Sequence, residues 1–381
     1  MKVLLVSNYL IDRQESMLRF ASALAQGLQE AGIDVTVIRP EPIVGKWKPG
    51  AGGLGKWLGY LDKFLFFPPR LRRLAADADL VHICDHSNAF YAPHIAHRPH
   101  LLTCNDMLAI RSAAGEFPHH RTRATGRILQ RWILSGLKRA RRLTCISEAT
   151  RRDVLRLSGH REKDVSVTYM GQNFAYQPIR EIAEAAEARR QGRPYEAATF
   201  VARGLPAAPY ILHVGGDHWY KNRAGVLAMY EELRRDLGEN APQLVLVGPA
   251  PAQSSPGVEC RSGVGNEDLA SLYSGAELLL FPSLEEGFGW PIIEAQACGC
   301  PVLTTGKAPM TEVGGAAARY LTDPLDAKAG AAAVRETLEL DSVARARCVA
   351  AGLENAARFS AARMTKEYLA IYGEILARHR P

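Results

Sequence analysis

Short apolar runs, each closed by polar or glycine-rich residues, alternate along this chain with stretches whose apolar positions recur every three or four residues. Val3–Val6 is apolar, 17–31 has helical spacing that ends at Gly32, and Val35-Thr36-Val37-Ile38 is rich in β-branched residues. Strand, loop, helix and strand in that order begin a doubly wound α/β sheet. Leu80–Ile83, 101–103 and 143–146 read as further parallel strands. A second series starts at Tyr210-Ile211-Leu212-His213-Val214 and continues with 244–247, Leu278–Phe281 and 301–303, before helices from about 327. The pattern predicts an α/β chain of two Rossmann-like doubly wound domains, 1–178 and 207–360. A linker with a polar helix, rich in Glu, Arg and Ala, is expected over 179–206.

In such sheets ligands sit beyond the C-terminal ends of the strands. The segments there are polar: Asn8 to Ser16, Asp85-His86-Ser87, Asn105-Asp106 and Ser147-Glu148, with Ser16 placed to cap a helix. The densest chemistry lies in 281–305. There a strand ends at Phe281, Pro282-Ser283 turns the chain, and a glutamate pair precedes Gly287-Phe288-Gly289-Trp290. A helix is predicted from Pro291 to Gly299, because proline suits the first helical position. A glycine loop running into a helix start offers backbone N–H groups to anions and hydroxyls. Glu286 at the mouth of the loop and Glu294 in the first helical turn are expected to face one ligand. The plainer role for Glu294 is as a partner of the helix dipole.

Residues 282–301 fit PS-x-x-EGFG-x-P-x-x-EA-x-A-x-G-x-P at every fixed position. The segment resembles the signature of the retaining GT-B glycosyltransferases of family 4 (glycosyl transferases group 1). The resemblance implies two domains facing a cleft, with a final helix, about 361–381, crossing back to the first. It implies that Glu294 holds the ribose of a nucleotide and that Glu286 lies beside the donor sugar. Gly287, Phe288, Gly289 and Trp290 would bring backbone amides to sugar and diphosphate. Gly215-Gly216 through Lys221-Asn222 resembles the family's VG-R-x-x-x-x-K loop or its K-N variant, which puts Lys221 on the diphosphate. Gly216 replaces the usual arginine, leaving Asn222 or Arg223 to share that work. Backbone atoms near Val264 would meet the base. Thr103-Cys104-Asn105-Asp106 resembles T-x-HD, with Asn105 where the family has histidine; an amide bonds a hydroxyl but carries no proton or charge. His86, at the end of the preceding strand, is the candidate to stand in for it. Gly171-Gln172-Asn173 matches the N-G-x-[DN] loop, whereas Gln14-Glu15-Ser16 occupies the place of a usual glycine pair.

Charge changes the picture most in the first half. Residues 1–178 hold 26 Lys and Arg against 15 Asp and Glu; the remainder holds 21 against 25. An anionic partner is expected there, acidic lipid or a phosphorylated lipid carrier in preference to nucleic acid, for which no binding motif is present. In 45–74, Trp47, Trp57, Tyr60, Phe64, Phe66 and Phe67 alternate with Lys and Arg, a composition suited to a membrane interface or to a helix covering the sheet. The run Arg121 to Arg142 is read as a solvated helix face. Seven scattered cysteines, with no C-x-x-C, fit reduced thiols in a cytoplasmic protein, and the first residues turn polar too soon for a signal peptide. Asp77-Ala78-Asp79 has D-x-D form but precedes a strand, on the far edge from ligands, so no metal is expected.

Together these features predict a metal-independent retaining hexosyltransferase, peripheral on the inner face of the plasma membrane. Its donor is a nucleoside-diphosphate sugar, it needs no further cofactor, and its acceptor is a glycan or lipid-linked molecule of cell-surface polysaccharide or glycolipid synthesis. A nucleotide-sugar-binding protein of little activity is the alternative. A dinucleotide enzyme is disfavoured, since no G-x-G-x-x-G follows the first strand.

Overall fold

A computed structural model describes residues 1–48, 53–250 and 255–379. Residues 49–52 of the aromatic–basic stretch and 380–381 of the expected final helix lie outside them. The chain divides into two units, Met1–Asn173 with Ser360–Pro381, and Phe174–Phe359.

The first unit is built on a six-stranded parallel sheet. Its strands are β1 (Lys2–Val6), β2 (Asp34–Ile38), β3 (Leu80–Ile83), β4 (His100–Cys104), β5 (Leu143–Cys145) and β6 (Val165–Val167), in the order β2-β1-β3-β4-β5-β6. β3, β4 and β5 are buried along their whole length, as parallel strands covered on both faces must be. β1 pairs with β2 on one side and β3 on the other. The winding direction therefore reverses between β1 and β3, and the ends of those strands open a crevice.

The helix Ala361–Ala377 belongs to this unit. Tyr368 and Tyr372 are fully buried, and the His82 ring bridges Tyr372 Oη and Thr103 Oγ1, at 2.7 Å each. Burial lowers the His82 pKa to about 3, so its ring is neutral. Gly27 lets this helix approach: a Cβ there would lie 2.1 Å from Thr365 Oγ1. In the helix Glu15–Glu30 the N-cap position falls on Gln14, whose side chain makes no capping bond, and Ser16, expected to cap, lies inside the first turn. Asp79 of the D-x-D triplet accepts the backbone N–H of Lys2 at 2.7 Å, a turn role.

The second unit repeats the plan with β7 (Tyr210–Val214), β8 (Gln243–Val247), β9 (Val258–Arg261), β10 (Leu278–Phe281), β11 (Val302–Thr305) and β12 (Arg319–Leu321), in the order β12-β11-β10-β7-β8-β9. All pairings are parallel, and the reversal falls between β7 and β10. The expected linker is corrected here. Residues 179–206 hold two helices, Arg180–Arg190 and Ala197–Ala202, that are part of the second unit. Ile182, Ala186 and Phe200 are buried, and Arg189 and Arg190 clamp the buried Glu277 at 2.9 and 3.3 Å. A sequence dominated by charge concealed this apolar stripe. No helix among the described residues is long and apolar enough to cross a membrane.

Candidate functional site

Each unit carries a polar cluster at its own strand reversal. In the second, the loop leaving β7 closes with a 3₁₀ turn at Trp219–Lys221, and the loop leaving β10 carries Glu285 and Glu286. The two loops are tied by the Leu284 N–H donating to the Tyr220 carbonyl at 2.7 Å. Lys221 Nζ reaches Glu286 Oε1 at 2.6 Å and also lies 4.9 Å from the Phe281 ring centroid. Side-chain exposures of 16 % and 8 % leave the lysine partly open to solvent and the carboxylate nearly buried. Glu285 is engaged separately, with Lys307.

Glycine is required where the loop leaving β8 passes the loop leaving β7. A Cβ at Gly248, whose φ is +143°, would lie 2.2 Å from the Gly215 carbonyl oxygen. Gly215 and Gly216 are less constrained: a Cβ would stand 3.2 Å from His213 Nε2 at the first, a tight contact, and 3.4 Å from His218 at the second, an ordinary one.

His213 was not singled out from the sequence, although a lone histidine inside the apolar strand YILHV was the available signal. It is fully buried, and its Nδ1 bonds the Leu280 carbonyl at 2.9 Å, which makes Nδ1 the protonated nitrogen. Burial first, then the nearby Arg223 and Lys221 charges, lower its pKa to about 4. It is a neutral spacer beneath the lysine loop.

Several expected donor contacts are corrected. Asn222 turns inward: with φ +54° it ends the 3₁₀ turn, and its Nδ2 donates to the Pro282 and Pro324 carbonyls at 3.1 and 2.8 Å. Asparagine is one of the few residues that tolerates this backbone state. Arg223 is likewise buried and donates to the Pro249 carbonyl. Gly289, at φ +107°, makes the turn into the helix Trp290–Ala297. The Phe288 side chain is buried against Phe359, 5.7 Å between centroids, so only its backbone remains a candidate for the loop role. The helix opens one residue earlier than expected, which moves Glu294 from the first turn to the second. Glu294 is buried and accepts from Tyr273 Oη at 2.9 Å; burial and the Glu294 charge raise the tyrosine pKa well above its usual value. Tyr273 lies on the helix Asn266–Gly275, which begins just after Val264, a half-buried loop residue. Glu294 is thereby tied to the Val264 segment, as Glu286 is to the lysine loop.

In the first unit, the reversal brings Asn8 from the end of β1 to Asp85, His86 and Ser87 from the end of β3, with Asn105 from β4 alongside. Asp85 is the hub. Its carboxylate accepts from Asn8 Nδ2 at 2.6 Å, from Asn105 Nδ2 at 3.0 Å and from Ser87 Oγ. His86 Nδ1 lies 3.1 Å from it, within ion-pair reach but out of line for a hydrogen bond. Burial alone would raise the Asp85 carboxyl; the His86 charge and the bonds from Ser87 and Asn8 hold it below the usual carboxylate range. Burial would lower His86, yet the charges of Asp85 and Asp106 keep its pKa raised. Asn105, expected to contact the sugar, is buried and turns its amide nitrogen to Asp85 and to the Cys84 carbonyl at 3.2 Å, while its Oδ1 has no hydrogen-bond partner among the described residues.

A family model described as Glycosyltransferase Family 4 matches residues 17–174, and one described as Glycosyl transferases group 1 matches 208–340. The chain belongs to the family 4 GT-B glycosyltransferases. Among its relatives is the O-antigen chain mannosyltransferase B of Escherichia coli, 27% identical over 299 residues, which are 75% of this chain and 73% of that protein. The D-inositol 3-phosphate glycosyltransferase of Salinispora tropica is 36% identical over 115 residues, 30% of this chain and 24% of that one. Two solved structures share the fold of the transferase. Anabaena HepE in complex with UDP and glucose gives a TM-score of 0.66 at 17% identity, covering 98% of this chain and 99% of that one. Sucrose-phosphate synthase from Thermosynechococcus elongatus gives 0.72 at 18%, covering 99% and 100%.

Proposed function

We propose that this glycosyltransferase moves a hexose from a nucleoside-diphosphate sugar to a glycan or lipid-linked acceptor of cell-surface polysaccharide or glycolipid synthesis, with retention at the anomeric carbon. The observation that carries this reading is the Lys221–Glu286 pair at the strand reversal of the second unit. Sugar transfer develops positive charge on the sugar while a diphosphate departs with negative charge. A cation fixed in advance at the departing oxygens lowers that barrier, and a carboxylate beside the sugar steadies the other end. Glu286 holds the lysine in place until the diphosphate takes it over, and the carboxylate is then free for the sugar. Glu294, braced by Tyr273, takes the ribose hydroxyls. The mannosyltransferase relative and the UDP-sugar complexes of structures with this fold support a hexose and a nucleotide leaving group. No metal is required in this scheme, since Lys221 supplies the positive charge.

A second reading, a binding protein that transfers little, is favoured by Asn105 alone, whose side chain is turned inward. Incubating the protein with UDP- and GDP-hexoses separates the two. The enzyme is expected to be stabilised thermally by one nucleotide and to hydrolyse or transfer the matching sugar. Saturable binding with no turnover of any donor would establish the second reading.

A further inference from the structure

Outside both clusters, the first unit presents a surface that its own core does not account for. The helix Gly53–Leu61 runs through a π-helical turn, Asp62–Phe66, into the helix Phe67–Ala76. Its outward residues are large and apolar: Leu54 is 59 % exposed, Trp57 62 % and Leu65 59 %. The helix Ala124–Leu137 adds Ile128 at 67 % and Trp132 at 44 %. These helices form one surface. An aromatic ladder joins them, from Trp57 to Tyr60 at 5.6 Å, Tyr60 to Phe64 at 5.2 Å and Phe64 to Trp132 at 4.6 Å between centroids. The Arg121 to Arg142 run is therefore more than a solvated face, since its helix carries part of an apolar patch.

The patch is held rigidly. Asp62, buried at the π turn, accepts from Tyr9 Oη at 2.6 Å and from the backbone of Val44 and Gly45 at 3.0 and 2.9 Å. Its charge is one-sided. Between residues 43 and 76 the sole acid is the buried Asp62, and between 117 and 147 there is none, against fifteen Lys and Arg in the two spans. Lys56, Arg123, Arg127 and Arg131 are exposed, and none of the four is ion-paired among the described residues.

We propose that this face of the first unit docks on an anionic lipid surface, with Leu54, Trp57, Leu65, Ile128 and Trp132 entering the headgroup region and Lys56, Arg123, Arg127 and Arg131 meeting the lipid phosphates. The charge decides the occupant. Apolar side chains alone fit a second copy or a protein groove. Exposed tryptophans beside four exposed cations without an ion-pair partner among the described residues match the interfacial zone of an acidic bilayer, the nearby acids Asp12 and Glu41 being already taken up by Lys63 and Arg70. Two copies placed face to face would bring these cations together. A nucleic acid would engage the cations and leave the isoleucine and leucines unused. Docking makes a lipid-linked acceptor available, and to that extent it deepens the function proposed above. Binding to vesicles is measured without donor or acceptor, so either proposal can fail while the other stands.

The test is flotation of the full-length protein with phosphatidylcholine vesicles, with and without phosphatidylglycerol. Wild type is expected to float with the acidic vesicles, less so as salt rises. Each basic residue near such a surface is worth about fivefold in partitioning, so Arg127→Glu/Arg131→Glu is expected to weaken binding at least about 25-fold. Trp57→Ala/Leu65→Ala should also weaken it, whereas Lys328→Glu, exposed on the second unit, should not. Because the replaced side chains are exposed, all variants are expected to keep the wild-type melting temperature. Equal flotation with neutral and acidic vesicles, or no loss in either double variant, would overturn the proposal. So would a concentration-dependent dimer abolished by Trp57→Ala/Leu65→Ala, or acidic-vesicle binding no stronger than binding to a duplex oligonucleotide.

Discussion

At the strand reversal of the first sheet, Asp85 is surrounded by partners it already satisfies, from Asn8, Ser87 and Asn105 with His86 beside them. At the reversal of the second sheet, Lys221 and Glu286 hold mainly each other, at the edge of solvent. The two units share a winding plan and differ in how much of their polar chemistry is committed. A buried hub with three or four partners is framework: removing one partner strands a charge. The Lys221–Glu286 pair is exchangeable on the function proposed above: the lysine, 16 % exposed, turns to the diphosphate, and the carboxylate, only 8 % exposed, takes the sugar as its new partner, so neither charge is left unpaired.

The largest test of that contrast is on activity. Lys221→Ala is expected to lower kcat with the best donor about 10²- to 10³-fold, the usual loss for one fixed electrostatic donor. Asn105→Ala, assayed at a temperature where both proteins are folded, should cost less than about tenfold, the range of one ordinary hydrogen bond. If the two losses matched, the first cluster would be as much a part of the chemistry as the second.

Much of this was legible in the chain, and the reasons differ by residue. The strand Leu278–Phe281 and the loop after it announced themselves because their pattern is local: apolar run, turn, glycines, proline at a helix start. The pairing of Lys221 with Glu286 is 65 residues long-range and depends on strand order, which periodicity does not encode. Asp85 looked like one polar residue among several; only the reversal of winding between β1 and β3 makes it a hub. The charged helix at 180–190 concealed its buried stripe because alanines count weakly in an apolar pattern.

On stability the order should invert, with the first cluster the more sensitive. Asp85→Ala removes the acid beneath Asn8, Asn105 and His86, and breaking a buried pair of this kind costs about 3–5 kcal/mol. Denaturant unfolding of this variant beside Glu286→Gln checks it. A larger loss in Glu286→Gln would mean that the second site, not the first, is framework. Asn222→Ala is the next smaller effect, about 2 kcal/mol, from two hydrogen bonds lost and an alanine placed in the left-handed region. Asn222→Gly, which relieves the backbone cost but not the lost bonds, should recover about half.

The finest probe uses the two histidines, whose environments push them in opposite directions. His86 has its pKa raised by Asp85 and Asp106, so the folded state binds its proton more tightly than the unfolded chain. The stability it contributes is complete below the unfolded value of about 6.5 and is lost as pH rises through the folded one. His213 has its pKa lowered to about 4 by burial, so the folded state excludes its proton. Its contribution is complete above about 6.5 and is lost as pH falls toward 4. Each group changes the slope by at most about 1.4 kcal/mol per pH unit. His82 in the first unit adds to the acid loss, being buried and neutral with a pKa of about 3, so wild type alone does not separate the terms. Melting curves between pH 4.5 and 9 for His86→Gln and His213→Gln do. The first substitution should flatten the alkaline limb and the second the acid limb. If both flattened the same limb, Asp85 would not hold a charged histidine beside it, and the distinction between a committed cluster and an exchangeable pair would lose its electrostatic basis.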